Sequence, residues 1–87
     1  MKGNVDLAGV ARIRVSRGSL VALQASGDNL YRLVRIRLSR DGTTATGANV
    51  LDPDVRTAHP VLTIVDGVAY YLVQGDGSTI AIRRRRL

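Results

Sequence analysis

The sequence predicts an all-β fold built from antiparallel four-stranded meanders. Three observations carry that expectation. Apolar and β-branched runs recur at intervals of about ten residues, Gly, Asp, Asn and Ser fill the gaps between them, and no stretch repeats convincingly at the helical period. The expected strands are 10–15 (VARIRV), 19–24 (SLVALQ), 30–38 (LYRLVRIRL), 43–51 (TTATGANVL), 61–65 (VLTIV), 68–73 (VAYYLV) and 79–83 (TIAIR), with a further short one in 4–8 (NVDLA).

The first strand alternates Arg12 and Arg14 with Ile13 and Val15, and "SRG" at 16–18 turns it into the second. "SGDN" at 26–29 leads to the third, where Arg35 and Arg37 again alternate with Ile36 and Leu38. "SRDG" at 39–42 leads to the fourth, whose Thr, Ala and internal Gly47 suit an outer, poorly buried strand. "DPDVRTAHP" at 52–60 reads as the one long connection. Beyond it, Asp66-Gly67 stands directly between two apolar runs, the signature of a two-residue type I′ hairpin. Strand 68–73 is apolar on both faces, as expected of a strand packed between neighbouring sheets. "QGDGS" at 74–78 turns into the last strand. There Arg84 would follow Ile80 and Ile82 onto one face, a local conflict that predicts a fraying tail.

Four strands before the long connection and three after it suggest β-propeller blades, whose unit is a four-stranded meander. Within one all-β unit over 1–87, residues 9–51 form a first blade, 52–60 a link and 61–87 a second, incomplete blade. Residues 1–8 precede the first full blade. Asn4, Val5, Asp6, Leu7 and Ala8 stand where an outer strand would complete the blade of a neighbouring copy.

An 87-residue chain hides only about 60 to 65% of its unfolded surface, which leaves a thin stability margin and favours assembly. Cysteine is absent, so disulfides, thiolate catalysis and cysteine-ligated zinc are excluded. No apolar run approaches the roughly 20 residues that span a bilayer, and "MKGNVDLAGVARIRV" lacks a signal-peptide core, so the expected setting is cytoplasmic, without membrane contact. The net charge is +6, and of 13 basic residues only Lys2 is lysine. This bias fits a GC-rich genome as well as phosphate recognition by planar guanidinium forks. With no Phe or Trp and only Tyr31, Tyr70 and Tyr71, stacking platforms for bases or sugars are scarce.

The order of segments in "GSLVALQASGDNLYRLVRIRLSRDGTTATGANVLDPDVRTAHPVLTIVDGVAYYLV" resembles the last two blades of six-bladed propellers of the senescence-marker-protein, gluconolactonase and NHL-repeat superfamily, over residues 9–87. The resemblance rests on a strand ending in "ALQ", the "RLVRIRLSRDGTTATGANVLD" strand-turn-strand, a proline-containing link, and "VDGVAYYLV" followed by a closing strand. It implies a central channel where Asp, Asn and Glu of inner strands hold a divalent metal. This sequence departs at those places, with Val10-Ala11-Arg12, Gln24-Ala25-Ser26 and Leu72-Val73-Gln74 where oxygen ligands are common. No catalytic, metal or cofactor residue is therefore assigned. Three two-blade copies would close a ring of six, and the expected partner is a second copy of the chain, as a homotrimer.

Other constellations point elsewhere. Arg12 and Arg14, Arg35 and Arg37, and Arg83 and Arg85 are pairs at strand spacing, candidates for a sequence-blind polyanion or nucleic-acid stripe. The competing reading makes them solvated faces, with Ile13 and Val15, or Ile36 and Leu38, turned inward; no aromatic residues interleave with the arginines as single-strand binders require. "RRRRL" at 83–87 reads as a solvated terminal run. His59 with Asp52 and Asp54 could hold a metal or supply a base, yet Asp-Pro-Asp is ordinary turn chemistry. The three tyrosines could line a sugar site in a lectin-like ring, with core packing the competing role. The sequence thus favours a non-catalytic propeller module that assembles into a ring as a scaffold or binding platform. The alternatives are a small basic β protein that binds nucleic acid, a degenerate metal-dependent lactone hydrolase-like propeller, and a lectin-like ring.

Overall fold

A computed structural model describes residues 9–74 and 79–87. The described chain is all-β, with strands β1 (Val10–Ser16), β2 (Ser19–Gly27), β3 (Leu30–Leu38), β4 (Ala45–Arg56), β5 (Leu62–Val65), β6 (Val68–Gln74) and β7 (Ile80–Arg86). They form two antiparallel sheets, ordered β1-β2-β3-β4 and β5-β6-β7. The expected seven strands and their division into four and three are both present. The expected strand in 4–8 lies outside the described residues.

Turn chemistry sets the hairpins. Asp66 and Gly67 both take positive φ, 50° and 74°, and join Val65 to its cross-strand partner Val68, as the type I′ expectation requires. Arg17 and Gly18 do the same at 39° and 74° between the paired Ser16 and Ser19. The "SRG" turn, expected to be looser, has the same form, because Gly18 supplies one left-handed residue and Arg17 accepts the other. In the longer turn before β4, Asp41 accepts hydrogen bonds from the Ser39 hydroxyl (2.6 Å) and from the Thr43 hydroxyl and amide (2.8 and 3.1 Å). These donors pull its carboxyl down to about 2.

Two boundaries differ from expectation. β4 begins at Ala45 and runs through Asp52-Pro53-Asp54 to Arg56, so most of the supposed 52–60 link belongs to a strand. Proline is tolerated because β4 is an edge strand whose register with β3 slips on both sides of Leu33, leaving Pro53 outside the regular ladder. β7 pairs with β6 as far as Val68↔Arg86, and the Leu87 amide donates to the Gly67 carbonyl (2.9 Å). The expected fraying is absent because the face shared by Ile80, Ile82 and Arg84 is solvent-exposed, which removes the conflict.

The core lies between the sheets. Val21, Leu23, Leu33 and Val55 from the first meet Leu62, Ala69, Tyr71 and Val73 from the second, with Tyr31, Leu51, Ile64 and Leu87 packed around them. β5 lies against β1, and β4 against β6. The chain therefore leaves the first sheet at its β4 edge and enters the second beside the opposite, β1 edge.

Candidate functional site

The registers fix which side chains share a face. Arg14 and Arg35 both pair with the core residue Val21, Arg12 pairs with Leu23, and Arg37 pairs with Ser19. All four arginines thus lie on the face turned towards the second sheet, while Ile13, Val15 and Ile36 lie on the opposite face. This reverses the inward orientation expected for those apolar residues. The physical reason is that β2 and β3 are apolar on both faces, so alternation in β1 and β3 alone does not identify the covered side. Arg12, Arg14 and Arg37 remain exposed, and Arg35 is half-buried with its Nε donating to Ser19 Oγ (3.2 Å).

Arg83 has a different role. Its Nη1 donates to Asp52 Oδ2 (2.7 Å) and to the Asp54 carbonyl (3.0 Å). The buried Tyr71 hydroxyl donates to the same Oδ2 (2.6 Å), and the Asp54 amide to Oδ1 (3.1 Å). Asp52 is 4% exposed and ties the edge of the first sheet to the centre and edge of the second. Burial pushes its carboxyl upward. The hydrogen bonds from Tyr71, Arg83 and the Asp54 amide outweigh that, and the carboxyl sits below its ordinary value. Burial, followed by the hydrogen bond to Asp52, pushes the Tyr71 hydroxyl up to about 12. The Asp52 hydrogen bond also raises Arg83.

This clasp was not legible in the sequence. Asp52 read as turn chemistry, and its partners stand 19 and 31 positions away on the other sheet. An apolar tyrosine strand and an arginine in the last strand were visible, but nothing paired them with an aspartate. Because the clasp occupies Asp52, that residue is not free to join His59. His59 is exposed on the link, where its amide donates to Thr57 Oγ1 (3.1 Å). Among the described residues no group of three His, Cys, Asp or Glu side chains could hold a metal. Tyr71 is core, Tyr31 packs against the core, and Tyr70 is half-buried on the outward face of the second sheet.

The outward faces of the two sheets each carry an apolar patch. On the four-stranded sheet Ile13, Val15, Leu20 and Val50 share one face with the buried Ala22, Val34 and Ile36, and Val15 is 75% exposed. On the three-stranded sheet Val65, Leu72, Ile80 and Ile82 share the outward face, with Ile80 61% and Ile82 71% exposed. No described strand covers either surface. Asn4, Val5, Asp6, Leu7 and Ala8, the candidate exchange segment, lie outside the described residues. No described helix is long and apolar enough to cross a membrane.

Comparison with protein-family models, curated proteins and solved structures finds no match to this chain.

Proposed function

We propose that this chain is a non-catalytic propeller-type module, two blades per copy, which assembles head to tail into a homotrimeric ring and serves as a scaffold or binding platform. The observation that carries this reading is the pair of apolar patches, covered by no described strand, at opposite sides of the stacked sheets. They differ in composition and strand number, so the natural contact joins the outward face of one copy's second sheet to the outward face of the next copy's first. Such heterologous contacts make a ring where the rotation between copies closes, and three two-blade copies would close a ring of six. The passage from the β4 edge to β5 beside β1 also suits successive blades, which share an inner and an outer side. Residues 4–8, outside the described residues, are the candidate segment to complete a neighbouring copy's blade.

Light scattering after size-exclusion chromatography tests this directly. The expected mass is three times the 9.4 kDa chain, and a stable monomer across the accessible concentration range overturns the reading. A second reading, sequence-blind nucleic-acid binding, draws on Arg14 and Arg35 flanking Val21 on one sheet face. It predicts salt-sensitive retention of DNA or RNA that weakens when Arg35 and Arg37 are both replaced by alanine.

A further inference from the structure

The outward face of the second sheet changes character along β7. Ile80 and Ile82 give way to Arg84 and Arg86, whose cross-strand partners on β6 are Tyr70 and Val68. These four residues line a surface cleft of about 350 Å³. Arg83 is held by Asp52 on the other face of the same strand. Among the described residues, the side chains of Arg84 and Arg86 have no ion-pair or hydrogen-bond partner. Alternation along β7 therefore sends Arg83 into the clasp and leaves Arg84 and Arg86 on the open face.

We propose that the Tyr70–Arg84–Arg86 cleft binds a phosphate group. Side chains two apart on a strand stand about 7 Å from one another along the chain, close enough for two guanidinium forks to converge on one anion. A carboxylate aligns its two coplanar oxygens with one fork while retaining further lone pairs. A phosphate offers further oxygens to the second, and planar guanidinium forks match its geometry. Tyr70, half-buried between the strands, supplies a hydroxyl donor and an apolar wall on the same face. The site rests on this cleft alone and survives failure of the ring reading. Within a ring it would sit at the seam between copies. There the outward face of the four-stranded sheet presents Ile13, Val15, Leu20, Val50 and Arg32.

The test is isothermal titration of the full chain, at constant ionic strength, with inorganic phosphate, a nucleoside 5′-monophosphate and a short single-stranded oligonucleotide. Binding of phosphate or the monophosphate assigns a terminal phosphate, whereas binding of the oligonucleotide alone assigns a backbone phosphodiester. Joint Arg84→Gln and Arg86→Gln substitution is expected to weaken binding about tenfold or more, as for the loss of charged hydrogen bonds. Joint Arg40→Gln and Arg56→Gln substitution, at exposed positions assigned to no binding surface, lowers net charge equally and is expected to leave binding within about twofold. Both double variants change exposed side chains, and a thermal melt checks that they remain folded. Should the first unfold, Tyr70→Phe combined with Arg84→Lys replaces it, with loss of binding again expected. Absence of heat with all three probes, or equal losses in both double variants, overturns the proposal. Light scattering on the same samples reports the ring separately, because phosphate binding by a monomer would refute the ring and keep the site.

Discussion

The two sheets each turn one face to the common core and one face away, yet their outward faces are finished differently. In the four-stranded sheet, outward-facing Ile36 lies between Leu20 and Ala48 and is 1% exposed. In the three-stranded sheet, outward-facing Ile82 has Leu72 on one side and no described strand on the other, and is 71% exposed. Isoleucine is the same in both places. The contrast shows that burial of an outward side chain goes with lateral neighbours on both sides, of which β7 has one among the described strands.

Alanine substitution at the two isoleucines sharpens that contrast most. Ile36→Ala is expected to cost about 2 to 5 kcal/mol, the usual range for truncating a buried isoleucine, read as a drop in the urea midpoint. Ile82→Ala is expected to change the stability of an unassociated chain by less than about 0.5 kcal/mol and to lower the oligomeric mass in light scattering. Equal costs at both sites would refute the distinction between the sheets.

Next in size is the clasp that joins them. Asp52→Ala leaves the buried Tyr71 hydroxyl without its acceptor and is expected to cost about 1 to 3 kcal/mol. The Arg83 side chain is 44% exposed, so solvent takes over much of its pairing and only part of the loss belongs to the ion pair. The pH dependence has a definite sign. Asp52 is depressed below its ordinary value of 3.8, so its contribution is present above that pH and is lost as pH falls through the lower, folded-state value. Urea midpoints measured through the acid range should fall less steeply for Asp52→Asn than for the parent. Tyr71 works at the other end: its hydroxyl is raised from 10.0 to about 12, so its contribution holds below 10.0 and is lost as pH rises through about 12. The corresponding tyrosinate absorbance should shift to lower pH in Asp52→Ala.

The smallest expected effect compares the two type I′ hairpins. Arg17 takes the left-handed position that Asp66 takes in the other sheet, without a side chain suited to it. Arg17→Asn should therefore stabilise by about 0.5 kcal/mol, whereas Asp66→Asn should be neutral within about 0.3 kcal/mol, both read by thermal melts.

Much of the fold could be read from local pattern, and what escaped was non-local. Strand positions followed from alternation and turn residues, because both act within a few positions. The continuation of β4 through Pro53 escaped because Asp-Pro-Asp is strong turn chemistry in isolation, and only the edge position and slipped register beside Leu33 admit it to a strand. The face on which Arg12, Arg14, Arg35 and Arg37 lie escaped because β2 and β3 could bury either side. Arg83 and Arg84 looked like two members of one charge run. Alternation on β7 separates them, one bonded to a buried carboxylate and the other lining an open cleft.

Every strand pairing in both sheets joins neighbours in sequence, so the hairpins can form by closing short loops. Docking around Asp52 instead asks residues up to 31 positions apart to meet. This division predicts a folding time course in which local zippering precedes the encounter of the two sheets. Substitutions at Asp52 should accordingly quicken unfolding while leaving the refolding limb of a chevron nearly unchanged, and substitutions at the Arg17 turn should act mainly on refolding.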